Sequence, residues 1–269
     1  MSIIKGSFDF TGSFGNMRCY DDPSIGKRIL SRKGGPTRVQ FLADPAYARQ
    51  REVSNEFGGC SIWASQVKQG LSDVSHLMYS RCFAQIRKAG TDLLKRDVNG
   101  QKGFRSMIVK SNPAKLIAID FNMRFPFRKV INDIYETDLS PDKKTVTLNI
   151  PGLIASRDVA WVSRFYAVRF YLVITQISDV VWNPETEMYE RIVNDLNVFT
   201  RSTNSEWIVR NNVPVDVNLT ASFDAPAFSN QGTTVIVGMG VEFSEIAIND
   251  QPSFMAHCGS MAIVGCYTK

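Results

Sequence analysis

Hydrophobic and polar positions change period along the chain. Phe14, Asn16, Arg18 and Tyr20 alternate with Gly15, Met17 and Cys19, which predicts an extended strand. Asp21-Asp22-Pro23-Ser24-Ile25-Gly26 supplies turn chemistry, with proline presetting φ and glycine accepting φ > 0. Lys27 to Lys33 reads as the return strand of a β-hairpin, ended by Gly34-Gly35-Pro36. A lone two-stranded hairpin is marginal in water. It must therefore dock on the rest of the chain or on a neighbouring subunit. Ahead of it, Ile3 to Phe10 is short, apolar and extended, an edge strand or an arm reaching another subunit. It lacks a basic n-region and a small-residue cleavage site, so it does not read as a signal peptide.

Residues 40–97 carry helical spacing. Asp44-Pro45 suits a first helical turn, where the missing proline N–H costs nothing. Tyr47, Val53 and Phe57 follow, and Gly58-Gly59 predicts a break or a close packing contact. Ile62, Trp63, Val67 and Leu71 resume the stripe. A second helix shows Leu77, Met78, Cys82, Ile86, Leu93 and Leu94, with His76 on it. The pair reads as an αα-hairpin. Residues 98–112 form a polar, glycine-containing connector and the candidate domain boundary.

From Leu116 the period becomes two. Ile117, Ile119, Phe121, Met123 and Phe125 share one face of a predicted half-buried strand closed by Pro126. Ser140 to Lys144 is a turn, and Thr145 to Ile150 a strand ending before Pro151-Gly152. Val162 to Ile177 has aromatics on both faces, as expected of a strand covered on both sides. Asn183 to Thr186 turns the chain, weaker strands lie near 189–193 and 206–209, and Val213 to Phe223 alternates again. The last strands, 233–248 and 252–267, are joined at Asn249-Asp250-Gln251. The predicted fold class is α+β: an N-terminal β-hairpin and αα-hairpin followed by an antiparallel β-sandwich. The predicted divisions are 1–38, 39–110 and 111–269.

Composition narrows the function classes. The 269 residues suffice for a full core, and no apolar run approaches a membrane helix; Phe165 to Ile177 is too short and contains Arg169. Five cysteines, odd in number and without a CxxC pair, favour free thiols in a reducing cytoplasm over a disulfide scaffold or zinc ribbon. Residues 1–110 hold 18 Lys+Arg against 9 Asp+Glu, while 111–269 hold 13 against 17. A basic front and a mildly acidic rear suit contact with phosphates, contact between copies, or simply solvated helices.

Chemistry is sparse. The two histidines are His76 and His257, and the latter points opposite to Cys258 if both lie in a strand. No clustered ligand set predicts a metal, and no spacing predicts a cofactor. Thr11 to Asn16 lacks phosphate-loop spacing, and Gly238-Met239-Gly240 reads as a bulge or close packing. Arg124-Phe125-Pro126-Phe127-Arg128-Lys129 interleaves arginine and aromatics, which suits base stacking or a core strand with a basic exit.

Gly12-Ser13-Phe14-Gly15-Asn16 followed by Tyr20, the basic strand Lys27 to Arg32 and the element Glu56 to Gly59 resemble the opening third of a family of uncharacterised Bacteroidota proteins, and the rear half, including the strand Val241 to Phe243, looks like their β-rich region. The resemblance implies a bacterial or phage-related source and transfers no catalytic residue.

The leading expectation is a non-enzymatic structural or assembly protein, self-associating through Ile3, Ile4, Phe8, Phe10, Phe14 and Tyr20 and through sandwich edges, alone or within a larger particle. The alternatives are binding of nucleic acid or another anionic polymer by Lys27, Arg28, Arg32, Lys33 and Arg38, or a ligand-binding sandwich using Trp161, Trp182 and Trp207.

Overall fold

A computed structural model of the chain describes residues 2–3, 10–23, 26–117, 119–131, 134–161, 165–194, 196, 200–223, 232–246, 252–253 and 258–268. The chain divides into two units, 1–51 and 52–269.

In the first unit, β1 (Ser2–Ile3), β2 (Gly12–Phe14), β3 (Met17–Asp22) and β4 (Lys27–Arg32) form an antiparallel sheet ordered β1-β4-β3-β2. The strand expected over Phe14 to Tyr20 is in fact two. Gly15 takes φ 54°, a left-handed conformation that glycine adopts without strain, and Phe14 pairs back onto Met17. The turn expected at Asp21 to Gly26 stands, with Gly26 N–H donating to Asp22 O. Helix α1 (Arg38–Ala43) starts at a reciprocal cap: Thr37 Oγ1 accepts from the Gln40 amide, and the Gln40 side chain accepts from the Thr37 amide. Asp44 then caps a 3₁₀ turn at Pro45–Tyr47.

Helix α2 (Ala48–Gly70) runs through Gly58-Gly59 without a break. A Cβ on Gly59 would lie 2.8 Å from the Tyr189 ring and 2.9 Å from Met107, so the glycine serves a close contact. A 3₁₀ segment, Ser72–Leu77, carries His76 and precedes α3 (Cys82–Leu94), so His76 is not on the second helix. The two helices turn Cys60, Trp63, Val67, Ile86 and Leu93 into one buried layer.

That layer covers one face of a central antiparallel sheet. Its long strands are β7 (Ala167–Ser178), β13 (Thr233–Ile246) and β15 (Gly259–Thr268), with β13 between the other two. The short strands β10 (Arg201–Asn204) and β11 (Ile208–Val209) pair with the other side of β7, and β14 (Pro252–Ser253) pairs with the end of β13. Alternation sorts β7 cleanly: Tyr171, Val173 and Ile177 face the helices, while Phe170, Leu172 and Ile174 face a second sheet. The expectation of a strand covered on both faces is met.

The second sheet is β12 (Pro214–Ser222), β6 (Thr145–Ile154) and β5 (Glu136–Leu139), in that order. Val146, Leu148, Ile150, Val217, Leu219 and Ala221 point inward, completing a two-sheet sandwich with helices stacked outside it. Strand β6 does not stop before Pro151. A bulge opposite Val215–Val217 absorbs Pro151-Gly152, with Gly152 at φ 59°. The hairpin β8 (Val180–Asn183) and β9 (Met188–Arg191) matches the turn expected at 183–186. Gly238 and Gly240 fill the role expected of them: the register shifts at Val237/Gly238, and a Cβ on Gly240 would collide with Leu77.

The strand expected over 116–125 is absent. Residues 114–117 form α4 (Ala114–Ile117), and 119–126 are irregular up to α5 (Phe127–Val130). Ile119 and Phe121 are buried as the alternation implies, but their backbone is satisfied otherwise. The Tyr79 amide donates to Phe121 O, and Asn122 Oδ1 accepts from the Arg124 and Phe125 amides. Side-chain acceptors replaced the ladder. A helical turn, α6 (Ala155–Asp158), completes the elements.

Candidate functional site

The residues predicted for self-association gather on the first unit. Ile3 pairs with Ile29 across β1 and β4, while Ile4 and Phe8 lie outside the described residues. Phe10 is half-buried and Phe14 is 75% exposed. Phe14 lies opposite Met17, itself 44% exposed, so the two share one face of the sheet. Tyr20 lies on the other face opposite Ile29, with Arg18 stacked 5.4 Å from its ring centroid. Phe14 and Tyr20 are therefore not neighbours on one strand. Helix α1 buries no residue, and Val39 (75% exposed) and Leu42 (58% exposed) project one turn apart. In the described part of this unit only Cys19 and Ile29 are buried hydrophobics. Met17, Val39 and Leu42 escaped the sequence reading because an apolar residue in a strand or helix is by default assigned to a core.

The five predicted anion-binding residues do not converge. Lys27 and Arg28 alternate along β4 and so face opposite sides of the sheet, Arg32 shares the Arg28 side, and Lys33 and Arg38 lie beyond the strand, both exposed. Arg28 is held by a two-pronged contact to Asp21, at 2.8 and 3.1 Å. The charge itself is concentrated: residues 1–51 hold 9 Lys+Arg against 4 Asp+Glu, and residues 52–269 hold 22 of each.

The tryptophans proposed as ligand platforms are half-buried and engaged. Trp161 donates to Ala155 O and meets Phe243 edge-on, Trp182 packs against Tyr189 and Phe104, and Trp207 lies under Arg169. His257 lies outside the described residues. Among the described residues no group of His, Cys, Asp and Glu is arranged to hold a metal ion, and no helix is long and apolar enough to cross a membrane.

The second unit contains buried charge that sequence reading missed. Glu242 of β13, with its side chain 1% exposed, accepts through Oε2 from Arg169 Nε (2.6 Å) and from the Tyr171 hydroxyl (2.7 Å). His76 Nε2 stands 3.8 Å from its Oε1. Burial and the hydrogen bond to Glu242 push the Tyr171 phenol upward; burial lowers His76, opposed by the Glu242 charge. Arg169 and Glu242 are direct partners across β7 and β13. The ion pair thus fixes the register of the two longest strands, since a slip by one residue would strand a carboxylate in the core. One clue was legible: Arg169 is the one charge in Ala167–Ser178, and the charges in Thr233–Ile246, Glu242 and Glu245, are of opposite sign. A second pair, Glu56 with Arg105 (2.8 and 2.9 Å), ties α2 to the 98–112 connector.

Searched against protein-family models, curated proteins and solved structures, the chain matches none.

Proposed function

We propose that the protein is a structural or assembly protein whose N-terminal unit associates with further copies of the chain. The observation that carries this reading is that among the described residues of 10–51 only two hydrophobic residues are buried, while Phe14, Met17, Val39 and Leu42 are exposed. Ordering each residue costs about 1–2 kcal/mol, whereas burying one aliphatic side chain returns about 1.5–3 kcal/mol. A sheet and a short helix so poor in burial need a surface to cover them. Among the described residues β1 pairs with only two residues of β4, and β2 with only three of β3, so strand edge remains for backbone pairing. A second copy suits that edge, because the basic front of one chain meets the acidic balance of 111–269 in another.

Light scattering coupled to size exclusion tests this on the full chain and on Phe14→Asp and Leu42→Glu. The wild type is expected to run as an oligomer or polymer, and the variants to shift toward monomer. A wild-type monomer at high concentration and at every salt concentration contradicts the reading.

A second reading, binding of nucleic acid or another polyanion, is favoured by the concentration of the whole net charge of +5 in residues 1–51. It requires measurable binding to single-stranded DNA at low salt, lost steeply as salt rises. No binding at low salt eliminates it.

A further inference from the structure

The outer face of the second sheet is flat, polar and free of positive charge. Register places Glu136, Asn149 and Asn218 in one row across β5, β6 and β12, and Asp138, Thr147 and Thr220 in the next. All six are exposed and point away from the buried Leu148 and Leu219. None of the residues of β5, β6 and β12 is Lys or Arg, although the chain holds 31. Their three acids are Glu136, Asp138 and Asp216. Asp216 accepts from the Gly152 amide, while Glu136 and Asp138 have no side-chain partner among the described residues. A face that only kept the chain in solution would mix long charged side chains of both signs. Short Thr and Asn side chains lose less rotamer freedom on being covered than Lys or Glu. The first unit carries the converse. Phe14, Met17 and Arg32 form one exposed row across β2, β3 and β4, and Arg32 has no ion-pair partner among the described residues. The strands of that unit hold Arg18, Lys27, Arg28 and Arg32 against Asp21 and Asp22, and Asp21 is taken by Arg28.

We propose that the outer face of β5, β6 and β12 receives the Phe14–Met17–Arg32 face of the first unit of a second copy. The contact rests on the association proposed for the first unit and names the surface that covers it. Arg32 meets Glu136 and Asp138, and Phe14 and Met17 lie over the Thr147 and Thr220 methyl groups. Two acidic faces repel each other, and so do two basic ones. The contact therefore joins unlike patches and repeats from copy to copy, closing into a ring or extending as a polymer.

Light scattering coupled to size exclusion at low salt tests the contact on two full-length variants, Arg32→Glu and the double change Glu136→Lys with Asp138→Lys. Each alone sets like charges against each other and is expected to associate about tenfold more weakly than wild type, or worse, with an unaltered thermal unfolding curve. Mixed in equal amounts, the two variants present unlike charges at every contact and are expected to assemble again. Wild-type association in the chain carrying Glu136→Lys and Asp138→Lys overturns the contact and leaves association through the first unit standing. A mixture that stays dissociated also overturns the contact. A wild type that is monomeric at every concentration overturns the association itself, and the contact with it.

Discussion

The two units spend their hydrophobic residues in opposite ways. In residues 52–269 a single strand such as β7 is lined on both faces by fully buried side chains, with Phe170 and Leu172 toward one core and Val173 and Ile177 toward the other. In the described part of residues 1–51, the apolar side chains of Phe14, Met17, Val39 and Leu42 face solvent and two are buried. Both units have well-formed local chemistry: a reciprocal cap at Thr37 and Gln40 in the first, buried ion pairs in the second. Local chemistry alone does not make a core. The difference teaches that hydrogen-bonded strands and capped helices fold stably only where a second layer removes their apolar face from water.

The comparison breaks most sharply at single core residues. Phe170→Ala is expected to destabilise the second unit by about 3–5 kcal/mol, read as a drop in the main thermal transition. Ile29→Ala, at one of the two buried hydrophobics of the described first unit, is expected to leave that transition unmoved. If both substitutions lower it equally, the units do not differ as described.

Next in size is a pH effect confined to the second unit. Asp179 is 5% exposed, accepts from the Val109 amide through Oδ1, and burial pushes its carboxyl up to about 6. With the folded value above the unfolded one, the folded state holds the proton more tightly. This contribution is therefore fully present below the unfolded value and is lost as pH rises through the window toward 6. Asp179→Asn keeps an acceptor for Val109 and removes the charge. It is expected to stabilise at neutral pH by on the order of 2–3 kcal/mol and to lose that effect below pH ~3, measured by denaturant unfolding across pH. A pH-independent difference contradicts the account.

Smaller again is the tie between β7 and β13. Tyr171→Phe removes one of two donors to Glu242 Oε2 and is expected to cost about 1.5–3 kcal/mol. Denaturant midpoints of the variant and of Arg169→Met check whether the pair acts as a register lock, since the arginine change is expected to cost more.

Much of this contrast was legible in the sequence. Alternation with aromatics on both faces of Val162 to Ile177 gave a doubly covered strand, and Gly238-Met239-Gly240 gave a bulge at Gly238 and a close approach of Leu77 to Gly240. The hairpin turn at Asp21 to Gly26 followed from proline and glycine chemistry. Other features depended on distant partners that local pattern does not carry. Ile119 and Phe121 alternate like a strand, yet Asn122 draws the following amides into a turn. Gly58-Gly59 left a helix break or a close contact open, and only Tyr189, far along the chain and packed against Gly59, decides for the contact. The Glu242 cluster joins residues from three separate segments, so only isolated charges in apolar runs announced it.

Amide hydrogen exchange followed as a function of protein concentration tests the central claim most directly. If further copies cover the first unit, the amides of β3 and β4, residues 17–32, exchange quickly in dilute solution and gain protection as concentration rises, while those of β7 and β13 stay protected throughout. Protection of residues 17–32 that equals that of β7 and does not change with concentration contradicts it.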